Sequence, residues 1–355
     1  MSVWLFRRRV WALVGLFLFS GCSAVQPIAR SEGQQMPTRR YETTIWTLDV
    51  GPEEWQTLLA NADLVAEVNL FRYTLDRDGA IFKDGGAGDT KLVEELRAAG
   101  IRVLPTIGNA FDPARVSVML NDSARRAAHV AALVALVEQG GFDGIDVDYE
   151  SLYRADRDAF SGFIEELAAQ LHARTLLLSI AVHPKTSEPG SWDGPMAQDY
   201  ARLGAAVDFL KVMTYDYSWS TSPPGPIAPV AWAQQVMDFT TSQVPPRKIY
   251  LGVHFYGYDW LGEHAEGRIW SETQAILAST GATVTRDVSS EATFVYEQSG
   301  SRTVFFADAL SVGTKLEAVF AKHPDLAGIA IWRLGGEDPA NWGEIRDWAM
   351  WSESR

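Results

Sequence analysis

The chain has 355 residues, 47% of them hydrophobic and 21% charged, with a formal net charge of −14. That length suits one large barrel or two ordinary domains, and the composition supports a sizeable core and argues against global disorder. The acidic balance disfavours nucleic acid as a partner and leaves a neutral polymer open.

Arg7, Arg8 and Arg9 precede an apolar run over 10–19. Residues 1–21 therefore read as an export signal, and the run is shorter than the roughly 20 residues of a membrane span. Cys22 is the sole cysteine, so no intrachain disulfide is possible. Its place after Leu18-Phe19-Ser20-Gly21 resembles a bacterial lipoprotein processing site. The expectation is a lipidated Cys22 and a protein anchored to a membrane of the cell envelope. An ordinary signal peptide, or an uncleaved anchor, with an incidental cysteine is the alternative. Residues 22–42 are polar, contain Pro27 and Pro37, and read as a flexible tether.

From there strands and helices alternate. β-Branched and aromatic residues predict a strand over 44–50, and Pro52 opens a short helix. A strand over 64–73, a Gly- and Asp-rich loop over 78–89 and a helix over 91–99 follow. A third strand runs over 101–107. Asn121, Asp122 and Ser123 offer caps for a long helix that stops at Gly140-Gly141. The fourth strand belongs to 142–150. Then come a helix over 156–173, strand 176–182, helix 196–203, strand 207–214, a Pro-rich loop over 218–229, helix 230–240 and strand 248–254. The last strand is 326–332 and the last helix 342–350. Eight such units with apolar strands call for a parallel sheet covered by helices, and a closed (β/α)8 TIM barrel over 43–355 fits the count. Residues 270–307 break the rhythm with a helix over 272–279 and strand-like runs at 282–286, 293–296 and 303–306. They read as a small α+β insertion after strand 7, beside the barrel mouth.

Residues 142–150, FDGIDVDYE, are the chemical anomaly. On a strand, Asp146, Asp148 and Glu150 share one face and Ile145, Val147 and Tyr149 the other. Acidic residues are poor strand formers and repel each other when stacked, and such a break of local rules marks a functional site. Asp143 has the wrong parity for that face and reads as scaffolding. The six histidines are too scattered for a local metal motif, so neither metal nor cofactor is expected.

The run Asp143-Gly144-Ile145-Asp146-Val147-Asp148-Tyr149-Glu150 resembles the catalytic signature of glycoside hydrolase family 18. Met213-Thr214-Tyr215-Asp216 and Gly328-Ile329-Ala330-Ile331-Trp332 are similar to two further motifs of that family, in the right order. Residues 332–339 (WRLGGEDP) and 223–229 (PPGPIAP) resemble its bacterial cell-wall and spore-cortex N-acetylglucosaminidase branch. Thr106-Ile107-Gly108-Asn109 departs from the Ser-x-Gly-Gly of typical chitinases, which weakens transfer of crystalline-chitin activity.

The resemblance implies a retaining, substrate-assisted hydrolase of β-1,4 bonds in N-acetylglucosamine-containing glycans, a mechanism with no carboxylate nucleophile. Glu150 would be the general acid, Asp148 would orient the substrate acetamide, Asp146 would support Asp148 and share a proton with it, and Tyr215 would hydrogen-bond the acetamide. Asp216, Met213 and Trp332 would bind the sugar. Trp219, in a loop, and Asn109, at a strand end, are further substrate-binding candidates. Trp260, Trp270, His183 and His254 are weaker ones. The expected partner is the glycan, and the expected state is a monomer. Two other classes stay open: a non-catalytic carbohydrate-binding protein of the same fold, and an enzyme holding Mg²⁺ or Mn²⁺ on the acidic cluster.

Overall fold

A computed structural model describes residues 41–83 and 89–351. The export signal, Cys22 and the tether up to residue 40 lie outside the described residues.

Eight parallel strands form a closed ring: β1 (Glu42–Thr47), β2 (Val65–Leu75), β3 (Thr106–Gly108), β4 (Gly144–Asp148), β5 (Leu177–Val182), β6 (Phe209–Val212), β7 (Ile249–His254) and β8 (Gly328–Trp332). β1 pairs with both β8 and β2, which shuts the barrel. The expected (β/α)8 fold is the fold of the chain. β3 is shorter than predicted: Arg102–Val103 pairs with β2 first, and Thr106–Gly108 resumes after Pro105. Proline has no N–H for the ladder, so the strand breaks there.

Alternation decides what each face of β4 meets. Ile145 and Val147 point to the helix layer and join the main core, together with Tyr149 just past the strand. The Tyr149 hydroxyl lies 2.8 Å from His129 Nε2 on the helix Ser123–Gly140. That helix starts because Asp122 accepts hydrogen bonds from Ala124 N and Arg125 N, and it stops at Gly141, whose φ of 63° is left-handed. Gly144 opens β4 because β5 passes close by: a Cβ there would meet the Leu177 carbonyl oxygen at 2.1 Å. Register then aligns Thr106, Asp146 and Ser179 across β3, β4 and β5 as one interior layer.

Two helices were not anticipated. Pro113–Leu120 is capped by Asp112, and Ala309–Lys322 by Asp308, whose carboxylate accepts from Ser311 N at 3.0 Å. After β7 the chain forms a second, antiparallel sheet in the order 264–268, 257–261, 301–306, 292–297 and 285–286, with the helix Trp270–Thr280 against it. This sheet starts at Gly257, earlier than the predicted insertion. The strand His264–Arg268 (HAEGR) has no apolar alternation and is a strand only because it pairs with Gly257–Leu261. Buried Asp259 ties the sheet together, accepting from Arg268, from Tyr296 at 2.9 Å and from Arg302 at 2.8 Å. Among the described residues no helix is long and apolar enough to cross a membrane.

Candidate active site

The C-terminal ends of the strands open into a cleft of about 670 Å³ whose wall includes Asp148, Glu150, Met213, Tyr215, Asp216 and Trp332. Such barrels carry their chemistry at this end, because the loops there converge from many strands. The acids of β4 step outward through it.

Asp146 is the deepest, with 0% exposure. It accepts from Trp46 Nε1 at 2.8 Å and Thr106 Oγ1 at 2.9 Å on one oxygen, and from the Ser179 hydroxyl and Lys211 Nζ, the latter at 3.0 Å, on the other. No hydrogen bond joins Asp146 to Asp148 among the described residues. Its donors engage both oxygens.

Asp148 is 7% exposed, and its Oδ1 is buried without a hydrogen-bond partner among the described residues. Burial and the charge of Asp146 push its carboxyl up to about 7, against the pull of Lys211. Glu150 is half-buried just past the strand. Burial, then the charges of Asp148 and Asp216, hold its pKa well above the usual carboxylate range. A carboxyl whose pKa is raised in this way suits general-acid work.

Residues 55–337 match the family model "Glycosyl hydrolases family 18". The chain belongs to glycoside hydrolase family 18. It is therefore a glycoside hydrolase, and its recognised relatives agree with the spore-cortex and cell-wall branch that the motifs pointed to. It is 30% identical over 289 residues to the cortical fragment-lytic enzyme of Bacillus subtilis, an alignment that takes in 78% of this chain and 66% of that protein. The chitinase of Chromobacterium violaceum superposes with a TM-score of 0.79 at 27% identity, over 87% of this chain and 98% of the other. The spore cortex-lytic enzyme SleL of Bacillus cereus shares the fold, with a TM-score of 0.78 at 24% identity over 87% of this chain and 75% of its own.

The rest of this family 18 site comes from β6, β8 and the second sheet. Asp216 has a left-handed φ of 57°, a conformation Asp tolerates. Its carboxylate accepts from the Tyr256 hydroxyl and from Tyr258 OH at 3.1 Å. Desolvation between the cleft walls raises its pKa, and the two phenols oppose the rise. Its solvent-facing side limits that desolvation. The Trp332 ring stands 5.4 Å from Phe71 and 6.2 Å from Trp46, so three aromatic rings build one corner of the cleft.

Six predicted substrate-binding candidates lie outside the cleft lining, Trp260 and Trp270 among them. Asn109 is buried at 1% and outside the cleft lining. Its Nδ2 donates to the Glu150 carbonyl at 2.8 Å, and its Oδ1 accepts from Glu150 N at 2.9 Å. The amide holds the Glu150 backbone and does not line the cleft. Trp219 is also outside the cleft lining, exposed on its loop with Nε1 donating to Thr221 Oγ1 at 2.8 Å. His183 Nε2 accepts from Ser151 N at 3.3 Å and lies 3.8 Å from Glu150 Oε2, so this histidine stands beside the acid without lining the cleft. Burial lowers its pKa to about 4. His254 is buried behind Tyr215 and Tyr256, beside Lys315 and Glu291.

Several residues at and beneath the cleft were not singled out from the sequence. Lys211 is fully buried and donates to Glu67 Oε1 and Asn69 Oδ1, each at 2.8 Å, as well as to Asp146. The signal existed: a lysine at the same parity as Met213 and Tyr215 in an apolar strand must point into the barrel. Tyr256 and Tyr258 were visible only as an aromatic run. Phe111, 68% exposed at the cleft, follows Ala110, and both have left-handed φ values, of 58° and 54°.

Proposed function

We propose that this hydrolase is a retaining, substrate-assisted enzyme that cuts β-1,4 bonds in N-acetylglucosamine-containing glycans of the cell-wall or chitin-oligosaccharide type. The observation that carries this reading is Asp148 Oδ1, buried without a donor beside a carboxylic acid whose pKa is raised. A 2-acetamido N–H would supply that donor. Family membership and the printed activities of the relatives, a chitinase and a cortical fragment-lytic enzyme, support the same substrate class.

In this mechanism Glu150 gives its proton to the glycosidic oxygen as the C1–O bond breaks. The acetamide carbonyl oxygen bonds to C1 and forms an oxazolinium ion. Asp148 accepts from the acetamide N–H and balances the positive charge, with Asp146 behind it. The Tyr215 hydroxyl steadies the acetamide oxygen. Asp216 holds the sugar, and Met213 and Trp332 pack against it. Water then adds to C1, its proton passes to the Glu150 carboxylate, and the acetamide reopens with configuration retained. Export through residues 1–21, anchoring through Cys22 and action as a monomer belong to the same proposal.

The test is Glu150→Gln, assayed on a chromogenic chitooligosaccharide and on peptidoglycan, with products identified by mass spectrometry. Turnover should fall by about 10²–10⁴-fold with the fold intact. Near wild-type turnover would sink the assignment.

A further inference from the structure

Arg333 follows Trp332 directly, and its side chain lines the active-site cleft. Its one hydrogen bond goes to a neutral acceptor, from Nη1 to the Leu334 carbonyl at 3.3 Å. Among the described residues no carboxylate pairs with it. Among the described residues Arg77 and Arg247 also lack an ion pair, but both are exposed, whereas Arg333 is half-buried. In a chain of net charge −14, an enclosed guanidinium with no acid beside it is out of keeping with its surroundings. The other arginine on the cleft wall, Arg268, is bound by Asp259 at 3.2 Å and by Glu266.

The cleft's own acids are engaged elsewhere. Glu272 accepts from Ile269 N at 3.0 Å at a helix start, and Asp216 is held by its two tyrosines. Burial raises the pKa of both Asp148 and Glu150. A guanidinium offers five donors in a planar fork that matches a carboxylate, and a single carbonyl satisfies little of it.

We propose that Arg333 is a specificity site for an anionic N-acetylglucosamine glycan: it takes the carboxylate of the sugar next to the one on Trp332. Chitin has no such group. A peptidoglycan-type strand freed of its peptides does, in the 3-O-lactyl ether of every second sugar. The inference rests on the hydrolase reading above and narrows its substrate class.

The full chain is assayed on a peptide-free alternating glycan with free lactyl carboxylates, on the same glycan after those carboxylates are reduced to alcohols, and on a neutral chitooligosaccharide. Wild type should favour the carboxylated glycan over the reduced one by about tenfold in kcat/KM, the scale of one charge-assisted contact. Salt should shrink that ratio. Arg333→Gln should bring it to about one and Arg333→Lys should restore part of it, the ratio being independent of how much enzyme is folded. A wild-type ratio near one overturns the inference even if Arg333→Gln cannot be purified, as does the same ratio in wild type and Arg333→Gln. Cleavage of the chitooligosaccharide with no carboxylate preference removes the Arg333 site and leaves the hydrolase reading standing. Failure on all three substrates removes both.

Discussion

Lys211 Nζ lies 3.0 Å from Asp146 Oδ1 inside the barrel, where neither side chain has any exposure. The same ammonium is 2.8 Å from Glu67, which Arg102 approaches at 3.4 Å from its other oxygen. The carboxylate that backs Asp148 is thus held by a chain of alternating charges spanning β2, β4 and β6. Removing one member of a buried pair leaves its partner charged without compensation. Lys211→Met should cost about 3–5 kcal/mol in urea unfolding at pH 7. A loss under about 1 kcal/mol, the scale of an exposed pair, would show that the network is not what holds these acids.

The pH dependence of turnover follows from Glu150. A general acid must be protonated, so activity falls as pH rises through its pKa. Burial and the negative charges of Asp148 and Asp216 put that alkaline limb well above the ordinary carboxylate range. Asp216→Asn removes one of those charges, which makes ionised Glu150 less unfavourable and lowers its pKa. The alkaline limb of kcat/KM should therefore move to lower pH in this variant. A limb that stays in place or moves up contradicts the assignment of Glu150 as the titrating acid.

Asp148 makes the opposite demand on stability from the usual surface carboxylate. Its pKa is higher in the folded chain, about 7 against an ordinary 3.8. Its stabilising contribution is complete below about pH 4 and is lost as pH rises through about 7. Asp148→Asn carries no charge to bury, so it should be the more stable protein at pH 8, by on the order of 2–4 kcal/mol, with much of the gap closed at pH 4. Parallel urea titrations at the two pH values measure this. A gap that does not change with pH would mean that Asp148 does not titrate over this range. The same variant should be nearly inactive, because the charge that costs stability is the one the mechanism uses.

The sequence exposed the barrel and the acid ladder because both are local patterns. FDGIDVDYE alternates at the strand period, and that alone separates Asp146, Asp148 and Glu150 from Ile145, Val147 and Tyr149. Lys211 was legible on the same logic, as a charge at inward parity in an apolar strand. Tyr256 and Tyr258 were not, because they reach Asp216 only after the chain has left β7 and entered a second sheet. The strand His264–Arg268 has no pattern of its own, since its pairing comes from Gly257–Leu261. Asn109 was readable as a residue at a strand end, but no local signal says that its amide faces the Glu150 backbone.

That contact supports the last prediction. Asn109 donates from Nδ2 to the Glu150 carbonyl at 2.8 Å and to the Asp112 carbonyl at 3.2 Å, and it accepts from Glu150 N at 2.9 Å. It pairs with the acid's peptide groups as a neighbouring strand would, just where β4 has ended. Asn109→Ala strips two partners from the Glu150 backbone, at a cost of about 1–3 kcal/mol, and lets the acid wander. Misplacing a catalytic group by about an ångström costs roughly 10²-fold in rate. The variant should lose about 10- to 100-fold in kcat with KM within about threefold, since the amide does not line the cleft. Asn109→Asp should not rescue it, because a carboxylate has no N–H for the Glu150 carbonyl. A large rise in KM at unchanged kcat would return Asn109 to the sugar-binding role its position first suggested.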